Sequence, residues 1–150
     1  MSRTSATLTA FEVFREISII EHLSRTAGER LMPPGLSMAG FTVLNHLTRL
    51  GLSRHPPARI AAALQVTKGA MTGTLRRLEA EGLVIVEPDP DDGRGKLVTV
   101  TPRGEAARQA AVDALTPEFA SLLAQVDADD LQAILPTLVR VRAVLDAARD

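Results

Sequence analysis

The sequence predicts a mainly α fold that carries one small β-hairpin. Three observations lead there. Apolar residues recur at three- and four-residue steps over most of the 150 residues, the spacing of amphipathic helices. The period changes at two short runs rich in β-branched residues, Leu83-Val84-Ile85-Val86 and Leu97-Val98-Thr99-Val100. Between them Pro88-Asp89-Pro90-Asp91-Asp92-Gly93-Arg94-Gly95 is turn chemistry, so the two runs read as a hairpin.

The elements follow in order. Leu8, Phe11, Phe14, Ile17, Ile20 and Leu23 step by threes, with Glu12, Arg15, Glu16 and Glu21 between them, which predicts a first helix over 8–31 ending before Pro33-Pro34-Gly35. Ser37 is the N-cap of a second helix whose Phe41, Leu44 and Leu47 share a face and which stops near Gly51. Pro56-Pro57 opens a short third helix with Ile60, Ala61 and Leu64 as its apolar positions. Thr67 caps a fourth helix, with Met71, Leu75 and Leu78 on one face and Gly82 at its close. After the hairpin, Thr101-Pro102 starts an alanine-rich helix over about 103–126. Asp127 caps a last helix, with Asp129 and Asp130 in its positive first turn and Leu131, Leu135, Leu138 and Leu145 as its stripe. Pro117 and Pro136 fall inside these two helices, and each predicts a kink or break.

Composition excludes several function classes. The absence of Cys removes disulfides, thiolate metal sites and cysteine nucleophiles, and with them any thiol redox switch. With no Trp, no Tyr and four Phe, the chain lacks the aromatic surface on which single-stranded nucleic acids stack. The three His show no metal-ligand spacing, and no glycine-rich phosphate loop or nucleophile elbow occurs, so no enzyme, metal or cofactor is expected. No segment reads as a signal or a membrane span, and the expectation is a soluble cytoplasmic protein.

Function is carried by the third and fourth helices. Joined by Gln65-Val66-Thr67 they form a helix-turn-helix, and the hairpin directly after them makes it winged. A helix of this size fits the major groove, and an arginine on a wing reaches the negative potential of the minor groove. If Met71, Leu75 and Leu78 face the core, Gly69, Gly73 and Arg76 lie opposite, flanked by Thr72 and Arg77. Two exposed helix-interior glycines cost about 1 kcal/mol each against alanine, and close approach of the backbone to DNA is the functional reason for them. Arg76 is placed to read a guanine or touch phosphate, and Lys68 and Arg77 to touch phosphate. Arg94, with Lys96 beside it, is the wing contact, and Asp92 orients the loop. Double-stranded DNA is therefore the expected partner.

Several stretches resemble the multiple-antibiotic-resistance regulator (MarR) family. Leu36-Ser37-Met38-Ala39-Gly40-Phe41-Thr42-Val43-Leu44 resembles its helix-2 motif. Residues 67–86 resemble its recognition helix with the first wing strand, and 89–104 its wing signature, with Asp92, Arg94, Thr101 and Gly104 on the signature positions. The chain departs at Gly40, where the family often has Gln, and at Gly73, where it often has Arg. The resemblance covers nearly the whole chain. It implies a winged-helix homodimer on a roughly palindromic operator, usually a repressor. In many members DNA is released when a small, often aromatic or phenolic, effector binds between the dimer helices and the DNA-binding lobe. His22, Met38, Phe41, Asn45 and His46 are the candidate ligand-pocket residues on that ground.

Charge and hydropathy agree with this division. The chain's net charge is −1, but residues 53–103 hold eight basic against six acidic side chains, while 104–150 hold four against eight. The helices at both chain ends, 8–31 and 103–149, carry more apolar surface than a winged lobe over 37–101 can cover, which predicts a homodimer interface within one 1–150 domain. The rival reading is a winged-helix module that binds protein without sequence-specific DNA contact.

Overall fold

A computed structural model describes residues 2–51 and 54–148. The order is α1 (Arg3–Leu31), α2 (Met38–Arg49), α3 (Pro57–Leu64), α4 (Lys68–Ala80), β1 (Val84–Asp89), β2 (Asp92–Val100), α5 (Pro102–Leu123) and α6 (Ala128–Ala147). The mainly helical, winged class predicted from the sequence is the observed one. The chain divides into two compact units, Met1–Ala114 and Leu115–Asp150. Among the described residues no helix is long and apolar enough to cross a membrane.

In the first unit the core sits where α2, α3, α4 and the hairpin meet. Leu44, Ile60, Val43, Val84 and Val98 are its largest fully buried side chains. The capping residues do what their chemistry predicts. Ser37 Oγ accepts the Gly40 N–H at 3.0 Å, and Thr67 Oγ1 accepts the Ala70 N–H at 3.1 Å. The turn between α3 and α4 places Gln65 in the left-handed region (φ 58°), a conformation in which the Val66 N–H reaches back to the Ala61 carbonyl at 3.0 Å.

Two boundaries differ from the sequence reading. α1 begins at Arg3, not Leu8, because Ser2 Oγ accepts the Ser5 N–H at 3.2 Å, a cap that precedes the first apolar residue of the pattern. The hairpin turn is Pro90-Asp91 rather than the whole of 88–95. Asp89 Oδ1 takes the Asp91 N–H at 2.9 Å and Asp92 Oδ1 takes the Arg94 N–H at 3.1 Å, so side chains satisfy the turn and the strands run on to 89 and 92. The register passes from Pro88↔Lys96 to Asp89↔Asp92, which leaves Gly93-Arg94-Gly95 bulged out of β2. At its other end β2 is bridged by His55, which exchanges both backbone hydrogen bonds with Val98.

The start of α5 is pressed onto the root of the hairpin. A Cβ at Gly104 would stand 2.0 Å from the Leu83 carbonyl oxygen. Thr101 fastens the joint, donating its hydroxyl to the Gly82 carbonyl at 2.7 Å and accepting the Gly104 N–H at 3.0 Å. These contacts give Thr101 and Gly104, two positions of the wing signature, a packing role.

α5 runs unbroken through Pro117 and α6 through Pro136, so the expected breaks do not occur. Each proline removes one donor, but the carbonyls left over belong to Asp113 and Gln132, which are exposed and so open to solvent. In the second unit Asp127 Oδ1 caps α6 through the Asp129 N–H at 2.9 Å. α6 has no buried residue: Leu131 is half-buried, and Leu135, Leu138 and Leu145 are exposed. The predicted end of this helical region at 149 lies outside the described residues.

Candidate nucleic-acid interface

α4 turns Met71, Thr74, Leu75 and Leu78 into the core, which fixes where every other side chain goes. One hundred degrees per residue puts Lys68, Thr72 and Arg76 on the flank beside the wing, Gly69 and Gly73 outermost, and Arg77 on the far flank. A groove of about 470 Å³ runs between α4 and the wing. Lys68, Met71 and Thr72 line it from α4, Pro56, Pro57, Ala58 and Ala61 from the start of α3, and Asp89, Asp92, Arg94, Gly95 and Lys96 from the wing. Arg76 continues this strip with Thr72 and Lys96 in a smaller cleft beside it. Arg77 instead lines a separate groove with Glu29, Gly35 and Glu81.

Five of the eight predicted contact residues (Lys68, Thr72, Arg76, Arg94 and Lys96) are thus brought onto one strip, 28 residues apart in sequence at the extremes. Lys68, Thr72, Arg76, Arg77, Arg94 and Lys96 are all exposed. None of the basic residues among them forms an ion pair with Asp89 or Asp92, whose carboxylates are engaged by turn N–H groups. The basic heads are therefore available to an external anion. Neither glycine of α4 is required by internal packing. A Cβ at Gly69 would meet nothing within 4 Å, and one at Gly73 only the Arg77 guanidinium at 3.7 Å.

Sequence reasoning missed two parts of the arrangement. Glu79 Oε2 accepts the Val86 N–H at 3.1 Å and ties the wing to α4, a contact that nothing local in the sequence marks. The α3 start supplies a wall of the groove, which its Pro56-Pro57 pair marked only as a helix start.

The candidate ligand residues are placed as follows. His22 is exposed on α1. Met38, Phe41 and Asn45 fall on one stripe of α2, three and four residues apart, with Phe41 packed on the core, and His46 is half-buried beside them. The Met38 thioether lies against Gly28 of α1. Asn45 Oδ1 accepts from Arg108 Nε at 3.1 Å, a partner 63 residues away that the sequence did not reveal.

Residues 35–95 match the MarR family model. The chain is 32% identical over 92 residues to the transcriptional activatory protein BadR of Rhodopseudomonas palustris, a match covering 61% of this chain and 53% of BadR. It spans about half the length of that curated relative. Among solved structures it is similar to wild-type MarR of E. coli in the apo form, at 26% identity over 85% of this chain and 93% of that one, with a TM-score of 0.69. It is also similar in fold to Bordetella bronchiseptica BpsR, whose DNA binding is regulated by 6-hydroxynicotinic acid, at 24% identity over 87% and 98% with a TM-score of 0.76. The winged helix-turn-helix is thus the part of the chain that matches the MarR family model, and the fold over most of the chain is similar to that of solved MarR regulators.

Proposed function

We propose that the protein is a homodimeric transcriptional regulator that binds duplex DNA with α4 in the major groove and the wing in the adjacent minor groove. The observation that carries this reading is the strip of exposed basic side chains without ion pairs, with Thr72 among them, shared by α4 and the wing. Cations stand on both flanks of α4, Lys68 and Arg76 on one and Arg77 on the other, with glycines between. A helix seated in a groove has phosphates on both sides and bases beneath, and this distribution matches that demand. Thr72 and Arg76 face base edges, Lys68, Arg77 and Lys96 phosphates. Arg94, lifted on its bulge with Asp92 holding its N–H, reaches the minor groove.

A single short helix reads too few bases for a unique site, so two copies on half-sites about one helical turn apart supply the specificity. The exposed apolar faces of α1 and α6 are what a second copy covers. The operator is then roughly palindromic. Repression is the sign of regulation we propose, with release by a small aromatic or phenolic effector near His22, Met38, Phe41, Asn45 and His46. BpsR, regulated by 6-hydroxynicotinic acid, supports the effector class. BadR, named an activatory protein, makes the sign a matter for a reporter assay in a deletion strain: rising expression on deletion supports repression and falling expression reverses it.

The test of the central reading is a mobility shift with fragments of the host genome. A specific shift is expected, weakening roughly a hundredfold or more between about 50 and 200 mM salt as counterion release demands. No specific shift on any fragment at low salt sinks the reading. Arg94→Ala is expected to weaken binding about tenfold, a loss of about 1.4 kcal/mol, with the dimer intact on sizing chromatography. Unchanged affinity removes the wing from the interface.

A further inference from the structure

We propose that the joint between α1 and α2 positions the recognition helix, and that Gly28 and Gly40 are positioning residues that set the half-site spacing the dimer accepts. This rests on the reading as a DNA-binding dimer and adds to it the part that holds α4 at a fixed place relative to α1.

Three contacts converge within residues 28–40. Gly28 is the one residue of α1 that is buried, and a Cβ there would meet Met38 Sδ at 2.7 Å, so the first residue of α2 lies directly on α1. Glu29 Oε2 accepts the Met38 N–H at 3.2 Å, placing a carboxylate of α1 at the positive end of α2. Two residues on, a Cβ at Gly40 would stand 3.0 Å from Leu36 Cδ1 and 3.0 Å from Leu78 Cδ2, so the C-terminal half of α4 rests on the first turn of α2. The linker closes the same end of α4 from the other side. Gly35, at φ +82°, passes under Glu81, whose Oε2 would lie 2.7 Å from a Cβ there. The path from α1 to α4 therefore runs through close contacts in which an added methyl group meets side-chain ends, and a neighbour must shift. At Gly40 those neighbours are Leu36 and Leu78, both buried in the core, where packed side chains have few alternative arrangements.

This gives Gly40 a reason where the family pattern often has Gln. The space that a side chain would occupy is filled by Leu36 and Leu78, and α4 sits correspondingly close to α2. If α1 is held by the partner copy, the distance between the two recognition helices follows from the joint. Gly40→Ala meets the methyl ends of two leucines that the core holds, so it displaces α4 slightly without adding anything to the DNA face.

The test uses the duplex that the full-length wild-type protein selects from genomic fragments, and versions of it with the half-sites moved one base pair closer or farther apart. Gly40→Ala is expected to bind the native spacing roughly threefold to thirtyfold more weakly, with a smaller loss on one of the shifted duplexes. A general loss of stability would lower all three equally. Gly28→Ala is expected to weaken native-spacing binding in the same way, and adding Met38→Ala, which removes the obstructing thioether, to restore it. This pair carries the test if Gly40→Ala does not fold. Equal affinity ratios across all spacings, or no recovery in the double variant, overturn the proposal. Failure of the wild-type protein to bind any duplex overturns the DNA reading instead.

Discussion

The winged lobe and the helices at the chain ends are both rich in apolar residues but use them differently. In the lobe, Val43, Leu44, Ile60, Val84 and Val98 disappear into a core formed by one copy of the chain. Along α1, Leu8, Phe11, Phe14, Ile17, Ile20 and Leu23 keep a regular three-residue spacing and all remain exposed, Phe11 at 71%. A solvated surface helix has no reason to expose so many large apolar side chains between residues 8 and 23, since scattered apolar residues are ordinary but a dense run is not. The lobe core is complete in a single chain, and the apolar residues of α1 are left uncovered by it. If a second copy covers α1 as proposed, folding and assembly rest on different residues, and substitutions can separate them.

The sharpest way to break this contrast is to charge the row. Phe11→Glu with Ile17→Glu leaves the helix period intact and touches nothing in the lobe core. If a second copy covers α1, two unpaired carboxylates must be buried on assembly, which is strongly unfavourable. Dimer dissociation measured by analytical ultracentrifugation should strengthen at least about a thousandfold, and DNA affinity should fall with it, while near-native helicity persists. A variant that remains dimeric and binds DNA normally would place the interface elsewhere.

The corresponding change inside the lobe is Gly104→Ala. The methyl group would have to enter the space of the Leu83 carbonyl oxygen, a backbone atom that has no flexible end to move. We expect a stability loss of about 3 kcal/mol, read as a lower midpoint in urea unfolding. An unchanged midpoint would show that the start of α5 is not held against the hairpin as described.

The two regions were not equally legible in the sequence. Caps and core faces read directly, because Ser37, Thr67, Thr101 and Asp127 act within their own turn and Met71, Leu75 and Leu78 follow the helical period. The strip on α4 and the wing was legible as residue identities, since arginines beside a helix-turn-helix have few other uses. Its division was not: Arg76 and Arg77 are neighbours in sequence, yet one faces the wing and the other the α1–α2 linker. The turn length in the hairpin escaped because Asp89 and Asp92 satisfy its N–H groups by contacts that composition alone does not assign. The bond between Arg108 and Asn45 escaped for a different reason, for nothing local marks a partner 63 residues away.

The smallest effect sharpens the comparison most, because it opposes folding and function at the same residues. Gly69 and Gly73 lie on the outermost face of α4, and neither is demanded by packing within the chain. Replacing Gly73, inside the helix, by alanine should raise stability by about 1 kcal/mol, and replacing Gly69, in the first turn, by less, since alanine loses less backbone freedom in a helix interior. If the lobe alone mattered, alanine would be the better residue at both positions. Should α4 approach the bases through its backbone, the added methyl groups keep it away, and Gly69→Ala/Gly73→Ala will melt at a higher temperature yet bind the selected duplex more weakly. Higher melting temperature with unaltered affinity would mean that the glycines face open groove, and that the specificity of α4 rests on Thr72 and Arg76 alone.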